Sequence, residues 1–140
     1  MADSVQGVEV GTTATFEKTV TQDDIARFAQ VSGDHNPLHT DSAYAARTRF
    51  KQPIAHGMLA AGYISAALGT KLAPGGVVIY LGQNLRFMAP VKAGDTLTAT
   101  VKATKVDAER RRVSVDTVVT NQDGTEVVTG DALVLIDELR

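Results

Sequence analysis

One stretch of the chain leaves little choice about how it folds. Ile54-Ala55-His56-Gly57-Met58-Leu59-Ala60-Ala61-Gly62-Tyr63-Ile64-Ser65-Ala66-Ala67-Leu68-Gly69 reads as a helix with apolar or small residues at nearly every position. However it is rotated, it presents Met58, Leu59, Ile64 or Leu68, the mark of a helix enclosed by protein on all sides. A bilayer span needs roughly 20 consecutive apolar residues. His56, Ser65 and Thr70-Lys71 interrupt this run, so protein rather than lipid is its expected surrounding. Its three glycines and five alanines fill little volume and let another backbone, or a long ligand, lie close against it. Strands rich in Val, Leu and Thr follow, so the expected architecture is α+β, a central small-residue helix wrapped by a curved antiparallel sheet.

The rest of the chain supplies the wrapping. Residues 1–10 show little pattern; Ala14, Phe16, Lys18 and Val20 then alternate with threonines and Glu17, which predicts a strand over 12–20. Thr21 and Asp24 approximate a capping box for an amphipathic helix over 22–31, with Ile25, Phe28 and Ala29 on one face and a stop at Ser32-Gly33. Gly33 to Asp41 is expected to be a loop, because Pro37 breaks regular structure. Ser42 to Thr48 follows as a helical turn with Tyr44 and Ala45 inward and Arg47 and Arg49 outward. After the central helix, Val77 to Met88 predicts a strand with Leu81, Gln83, Leu85 and Phe87 on one face. Leu97, Ala99, Val101 and Ala103 alternate with polar residues in the clearest strand of the chain. A charged turn over 107–112, a strand over 113–120, an Asp123-Gly124 hairpin signal and a last strand over 125–136 complete the series. Four successive strands joined by short turns favour an antiparallel meander.

Bulk properties remove several classes of function. The 140 residues suit one domain over 1–140 with a real core. A net charge of -2 and a pI near 5.9 give no basic surface for nucleic acid. Aromatics at 5% without Trp give no stacking platform for single strands. With no Cys there is no thiolate chemistry, and Met1-Ala2-Asp3-Ser4 lacks the basic and apolar regions of a signal peptide, so a cytoplasmic protein without membrane association is expected.

Chemistry concentrates in two places. Asp34, His35, Asn36 and His39 fall within six residues of the loop after the first helix, and a carboxylate with an imidazole is the pair most used to move protons near neutral pH. Such Asp-rich, Asn-Pro loops also cap helices and turns, which is the plainer reading of the same residues. His56-Gly57 stands where the central helix is expected to begin. There the Gly57 amide is an unsatisfied donor at the positive end of the helix dipole, and the missing side chain lets a carbonyl approach; simple helix entry explains that glycine equally well. Together the two places suit proton chemistry alpha and beta to a carbonyl.

Asp34-His35-Asn36-Pro37-Leu38-His39, followed by Pro53-Ile54-Ala55-His56-Gly57-Met58-Leu59, resembles the signature of the MaoC-like, hydratase 2 family, and most of all its short, single-domain (R)-specific enoyl-CoA hydratases. The similarity continues through Tyr80-Leu81-Gly82-Gln83, Phe87, Pro90-Val91 and Gly94-Asp95 and so covers most of the chain. It implies a hot-dog fold and the reversible addition of water across a trans-2-enoyl thioester. It implies a catalytic dyad of Asp34 and His39, an amide from Gly57 for the thioester oxygen, Ser65 as a supporting residue in the helix and Asn36 as an orienter of the loop. It further implies a homodimer, an acyl-CoA substrate, a place in fatty acid metabolism with supply of polyhydroxyalkanoate precursors, and no cofactor. His35, His39 and His56 lack the spacing of a helix-borne metal site, and no metal is expected. Arg110-Arg111-Arg112 reads as a solvated charge run. A hot-dog thioesterase, a dehydratase acting on acyl carrier protein with a basic docking patch, and a non-catalytic thioester binder are the rival readings; the dyad speaks against the last.

Overall fold

The Thr-rich run becomes strand β1 (Thr13–Thr19) in the computed structural model, which describes residues 3–140. Helix α1 (Gln22–Ser32) follows under the expected capping box: the Thr21 hydroxyl accepts the Asp24 N–H at 3.0 Å, and Asp24 accepts the Thr21 N–H at 3.0 Å. Gly33, at φ 80°, ends the helix in the left-handed conformation that a residue without Cβ adopts at no strain. One-turn helices α2 (Pro37–Thr40) and α3 (Ser42–Ala45) lead to helix α4 (Gly57–Ala67), which runs on as a π-helical turn over Leu68–Leu72. Strands β2 (Val77–Phe87), β3 (Thr96–Asp107), β4 (Arg112–Thr120) and β5 (Glu126–Asp137) complete the chain.

All five strands pair antiparallel, in the order β1-β3-β4-β5-β2. The α+β expectation therefore holds, with α4 laid mainly across β3, β1 and β4. The alternation in β3 is reproduced residue by residue: Leu97, Ala99, Val101 and Ala103 are fully buried. Each fully buried Val or Leu contributes on the order of 1.5–3 kcal/mol of transfer free energy, so this inner face anchors the core. Val5 and Val8, from a segment without visible pattern, join the same core through a local bridge. No helix among the described residues is long and apolar enough to cross a membrane.

The structure corrects several local expectations. The meander covers β3 to β5 only; the segment Met88–Asp95 carries the chain across, so that β2 lies beside β5 at one edge and β1 beside β3 at the other. In β2 a bulge between Tyr80 and Gly82 makes Leu81 the extra residue, which reverses the alternation and separates it from Gln83, Leu85 and Phe87. Pro37 starts α2 instead of preventing it, because a proline at the first helical position lacks only an N–H that would be unpaired anyway. Ala45 is buried as expected, whereas Tyr44 is 49% exposed. In the arginine run, Arg111 is not simply solvated: its Nε–H donates to the Ile136 carbonyl at 2.8 Å.

The central helix differs in extent and in cover. Ile54, Ala55 and His56 lie ahead of the helix, tied to other parts of the chain: the Ile54 N–H donates to the Leu38 carbonyl at 3.4 Å and the Ala55 N–H to the Val91 carbonyl at 2.6 Å. Leu59, Ala60, Ile64 and Ala67 are buried, but Met58, Gly62, Ser65 and Gly69 are exposed. Residues so spaced share one helical face, so within one chain the helix is enclosed on its sheet side and bare along a stripe.

Candidate active site

The loop is ordered by short-range polar contacts. The Ser32 hydroxyl donates to the Phe28 carbonyl at 2.6 Å and accepts the Asp34 N–H at 3.1 Å, which sets the chain's exit from α1. The Asp34 carboxylate accepts the Asn36 N–H at 3.2 Å. Asn36 caps α2, its side-chain oxygen accepting the Leu38 N–H at 3.1 Å. This single turn swings His39 under the loop, where it is 7% exposed.

Two histidines then tie the loop to the entry of α4. His39 Nδ1 lies 2.7 Å from the Ile54 carbonyl, and His56 Nε2 lies 2.9 Å from the Asp34 carbonyl. A carbonyl oxygen only accepts, so each of these nitrogens carries the proton and each neutral ring keeps its lone pair on the other nitrogen. His39 thus has Nε2 as acceptor, and His56 has Nδ1, which is buried and makes no hydrogen bond among the described residues. The rings stack with centroids 3.9 Å apart and planes 30° from parallel, and Phe28 packs behind His56 at 4.8 Å.

A carboxylate oxygen of Asp34, a ring nitrogen of His39 and one of His56 lie within 4.8 Å of one another. They border a cavity of about 830 Å³ that Gly57 also lines. Gly57 is the first residue of α4 and lines the cavity at the positive end of the helix, and its N–H donates to no group among the described residues. Phe87 covers the glycine: a Cβ there would meet the ring at 2.6 Å. Ligands for a metal would be drawn from the same three residues.

Of the residues singled out from the sequence, Asp34, His39 and Gly57 come together around this cavity, with Asn36 just behind as the cap. Ser65 does not join them. It is exposed on the bare stripe of α4, about 12 Å along the axis from Gly57 at 1.5 Å per residue. His35 is exposed and off the cavity wall. The structure adds His56, Arg49 and Phe87, none of which the sequence placed in the site. The only local hint was the adjacency of His56 to Gly57; its partners lie 17 and 22 residues away in sequence.

Further support for the site comes from a turn on its far wall. Val91, whose carbonyl holds Ala55, precedes a turn closed by Asp95, which is 3% exposed and accepts the Lys92 N–H, the Lys92 ammonium and the Gln122 amide, each at 3.0 Å. Burial works to raise the Asp95 carboxyl, but these three donors outweigh it and hold its pKa below the ordinary carboxylate value.

The model of the MaoC-like domain matches residues 6–125. The chain belongs to that family. It is 46% identical over 131 residues to the (R)-specific enoyl-CoA hydratase of Rhodospirillum rubrum, covering 94% of this chain and 90% of the relative. Among solved structures, the unliganded R-hydratase PhaJ1 of Pseudomonas aeruginosa superposes with a TM-score of 0.89 at 44% identity, covering 99% of this chain and 89% of that one. The (R)-hydratase of Aeromonas caviae involved in PHA biosynthesis gives a TM-score of 0.87 at 43% identity, covering 93% and 98%. The fold is the hot-dog fold of these MaoC-like hydratases.

Proposed function

We propose that this protein is a cytoplasmic (R)-specific enoyl-CoA hydratase, a hydro-lyase that reversibly converts trans-2-enoyl-CoA to (R)-3-hydroxyacyl-CoA. The observation that carries the reading is the meeting of the Asp34 carboxylate, the His39 imidazole and the free Gly57 amide on one cavity. A water bonded to two acceptors spans roughly 4.6 Å between them at ordinary hydrogen-bond lengths, a span comparable with the 4.8 Å within which a carboxylate oxygen of Asp34 and a ring nitrogen of His39 lie. In the neutral ring whose Nδ1–H serves Ile54, His39 Nε2 is the acceptor, and it takes a proton from the water while Asp34 orients it. The oxygen adds to the β-carbon, and the electron pair of the alkene moves onto the thioester oxygen, where the Gly57 N–H meets it. Losing such a donor typically costs about 2.7–4 kcal/mol of barrier. The enolate then takes a proton at the α-carbon from the dyad, so the enzyme returns to its starting charge, only water is consumed and no cofactor takes part.

Charge distribution supports an anionic carrier. Between Asp41 and Asp95 there is no Asp or Glu, while Arg47, Arg49, Lys51, Lys71, Arg86 and Lys92 all fall there. Arg49 lines the cavity, is exposed and forms no ion pair among the described residues, which suits the phosphates of coenzyme A. The product would supply polyhydroxyalkanoate synthesis.

The protein is further proposed to act as a homodimer. Of the two sheet edges, β1 shows Thr13, Thr15 and Glu17 to solvent, whereas β2 shows Ile79, Tyr80 and Leu81, each at least 40% exposed. An apolar open edge beside a bare helix stripe is what a second copy would cover. Sedimentation equilibrium checks this: a monomer at micromolar concentration excludes it.

The deciding experiment follows the loss of enoyl absorbance with crotonyl-CoA. Wild type is expected to turn over, and Asp34→Asn and His39→Gln to fold normally and lose at least about a hundredfold in kcat. Thiol release without hydration would favour the thioesterase reading, and turnover of the acyl carrier protein thioester alone would favour the dehydratase.

A further inference from the structure

His56 has no part in the proton transfers just described, yet it is 2% exposed and sits between Phe28 and His39. We infer that His56 is the positioning residue of the dyad, a donor that fixes the Asp34 backbone and a ring that fixes the plane of His39. This rests on the hydratase reading and adds a component to it.

The two histidine bonds form a reciprocal clasp. The loop gives an imidazole N–H to the Ile54 carbonyl, and the segment before α4 gives one back to the Asp34 carbonyl, at 2.7 and 2.9 Å. Asp34 needs such a hold. Its side chain is exposed and, among the described residues, accepts only the Asn36 N–H, so the position of its carboxylate follows that of its own backbone. His39 is held by Nδ1 at one point, about which a ring can still rock; the face of His56 at 3.9 Å removes that freedom. One residue therefore limits the motion of both partners.

The unpartnered Nδ1 sharpens the inference. A buried acceptor left without a partner costs about 1–3 kcal/mol, so a ring kept only to fill this space would be better made of carbon. A phenyl group would stack on His39 and Phe28 as well and would carry no orphaned nitrogen. What imidazole offers here beyond phenyl is the Nε2–H on the Asp34 carbonyl.

Three substitutions separate that donor from the ring. His56→Phe keeps the ring, His56→Gln places an amide N–H near the position of Nε2, and His56→Asn places it near Nδ1. His56→Phe is expected to melt at or above the wild-type temperature while kcat for crotonyl-CoA falls about tenfold to a hundredfold, the scale of an ångström-sized misplacement, with KM unchanged. His56→Gln should recover most of the kcat, and His56→Asn should stay as slow as His56→Phe. Amide hydrogen exchange gives a readout apart from turnover: the Asn36 N–H, held by the Asp34 carboxylate, should exchange faster in His56→Phe and at the wild-type rate in His56→Gln. Wild-type kcat and exchange in His56→Phe, or equal slowing in all three variants, overturns the inference. A wild-type protein that does not hydrate crotonyl-CoA overturns the hydratase reading instead, and the exchange arm then decides the clasp by itself.

Discussion

Strand β3 and the loop from Gly33 to Asp41 are ordered by opposite means. The strand keeps Leu97, Ala99, Val101 and Ala103 wholly out of water, in a register fixed by β1 on one side and β4 on the other. The loop buries almost nothing except His39 and is held by hydrogen bonds to the side chains of Ser32 and Asn36 and from the rings of His39 and His56. Burial is non-directional and tolerates small shifts, whereas proton transfer needs donor and acceptor placed to within a fraction of an ångström. Stability and chemistry are therefore carried by different residues, and the two regions should fail differently when altered.

The largest effect tests that separation from the strand side. Leu97→Ala is expected to lower unfolding free energy by about 2–5 kcal/mol, the range for emptying a buried leucine site, while kcat per folded molecule stays at the wild-type value. Urea unfolding and an active-fraction assay check the two halves. Asp34→Asn is the mirror image, with its rate lost and its urea midpoint kept. A joint fall of stability and kcat in either variant breaks the comparison.

The same contrast explains what could be read from the sequence. Period-two burial is local, so β3 was legible, and so was the Thr21–Asp24 capping box, whose partners lie three residues apart. The Asp34, His39 and Gly57 convergence was legible as a motif, from its resemblance to a family. Contacts made at a distance were not. Nothing near Leu81 signals a bulge that depends on pairing with β5, and nothing in β2 shows that its neighbour is β5 instead of β3. Helix α4 begins three residues later than its apolar pattern, and the segment ahead of it is tied to Leu38, Val91 and His39, contacts that no local pattern announces. The helix was expected to be enclosed because its composition is apolar all round, but composition does not say whether the cover comes from the same chain.

Next in size is Gly57→Ala, at the seam between core and loop. The added Cβ meets the Phe87 ring at 2.6 Å, so ring or helix start must shift at the amide proposed to meet the thioester oxygen. A loss of about tenfold in kcat/KM, or about 1.4 kcal/mol, is expected, and Phe87→Ala in the same chain should restore part of it. Full additivity of the two changes would show that the methyl group crowds the substrate and not the ring.

A smaller effect concerns acid stability. Asp95 has its pKa lowered on folding, so its contribution is present above the unfolded value of about 3.9 and is lost as pH falls through the folded one. Asp24, lowered by the Lys18 ammonium and the Thr21 N–H, acts in the same direction. Asp95→Asn should be less stable than wild type at neutral pH and should lose less on acidification below about pH 4. Parallel curves of unfolding free energy against pH for the two proteins would assign the acid slope elsewhere.

The smallest effect separates two cationic clusters. Arg49 borders the cavity, whereas Arg110 sits in the β3–β4 turn, at the other end of β5 from the cavity-lining Val127 and Val128 and roughly 25 Å away at strand rise. Both are exposed, so each charge acts through water and is worth at most about 1 kcal/mol. If the anion of the carrier passes Arg49, Arg49→Ala should raise KM for crotonyl-CoA about two- to fivefold at low salt, and the difference should shrink as ionic strength shortens the Debye length. Arg110→Ala should leave KM alone at any salt. Equal responses would mean that the net field of the protein, and not a cation at the cavity mouth, attracts the substrate, and the acid-free segment between Asp41 and Asp95 would then have no bearing on which carrier is bound.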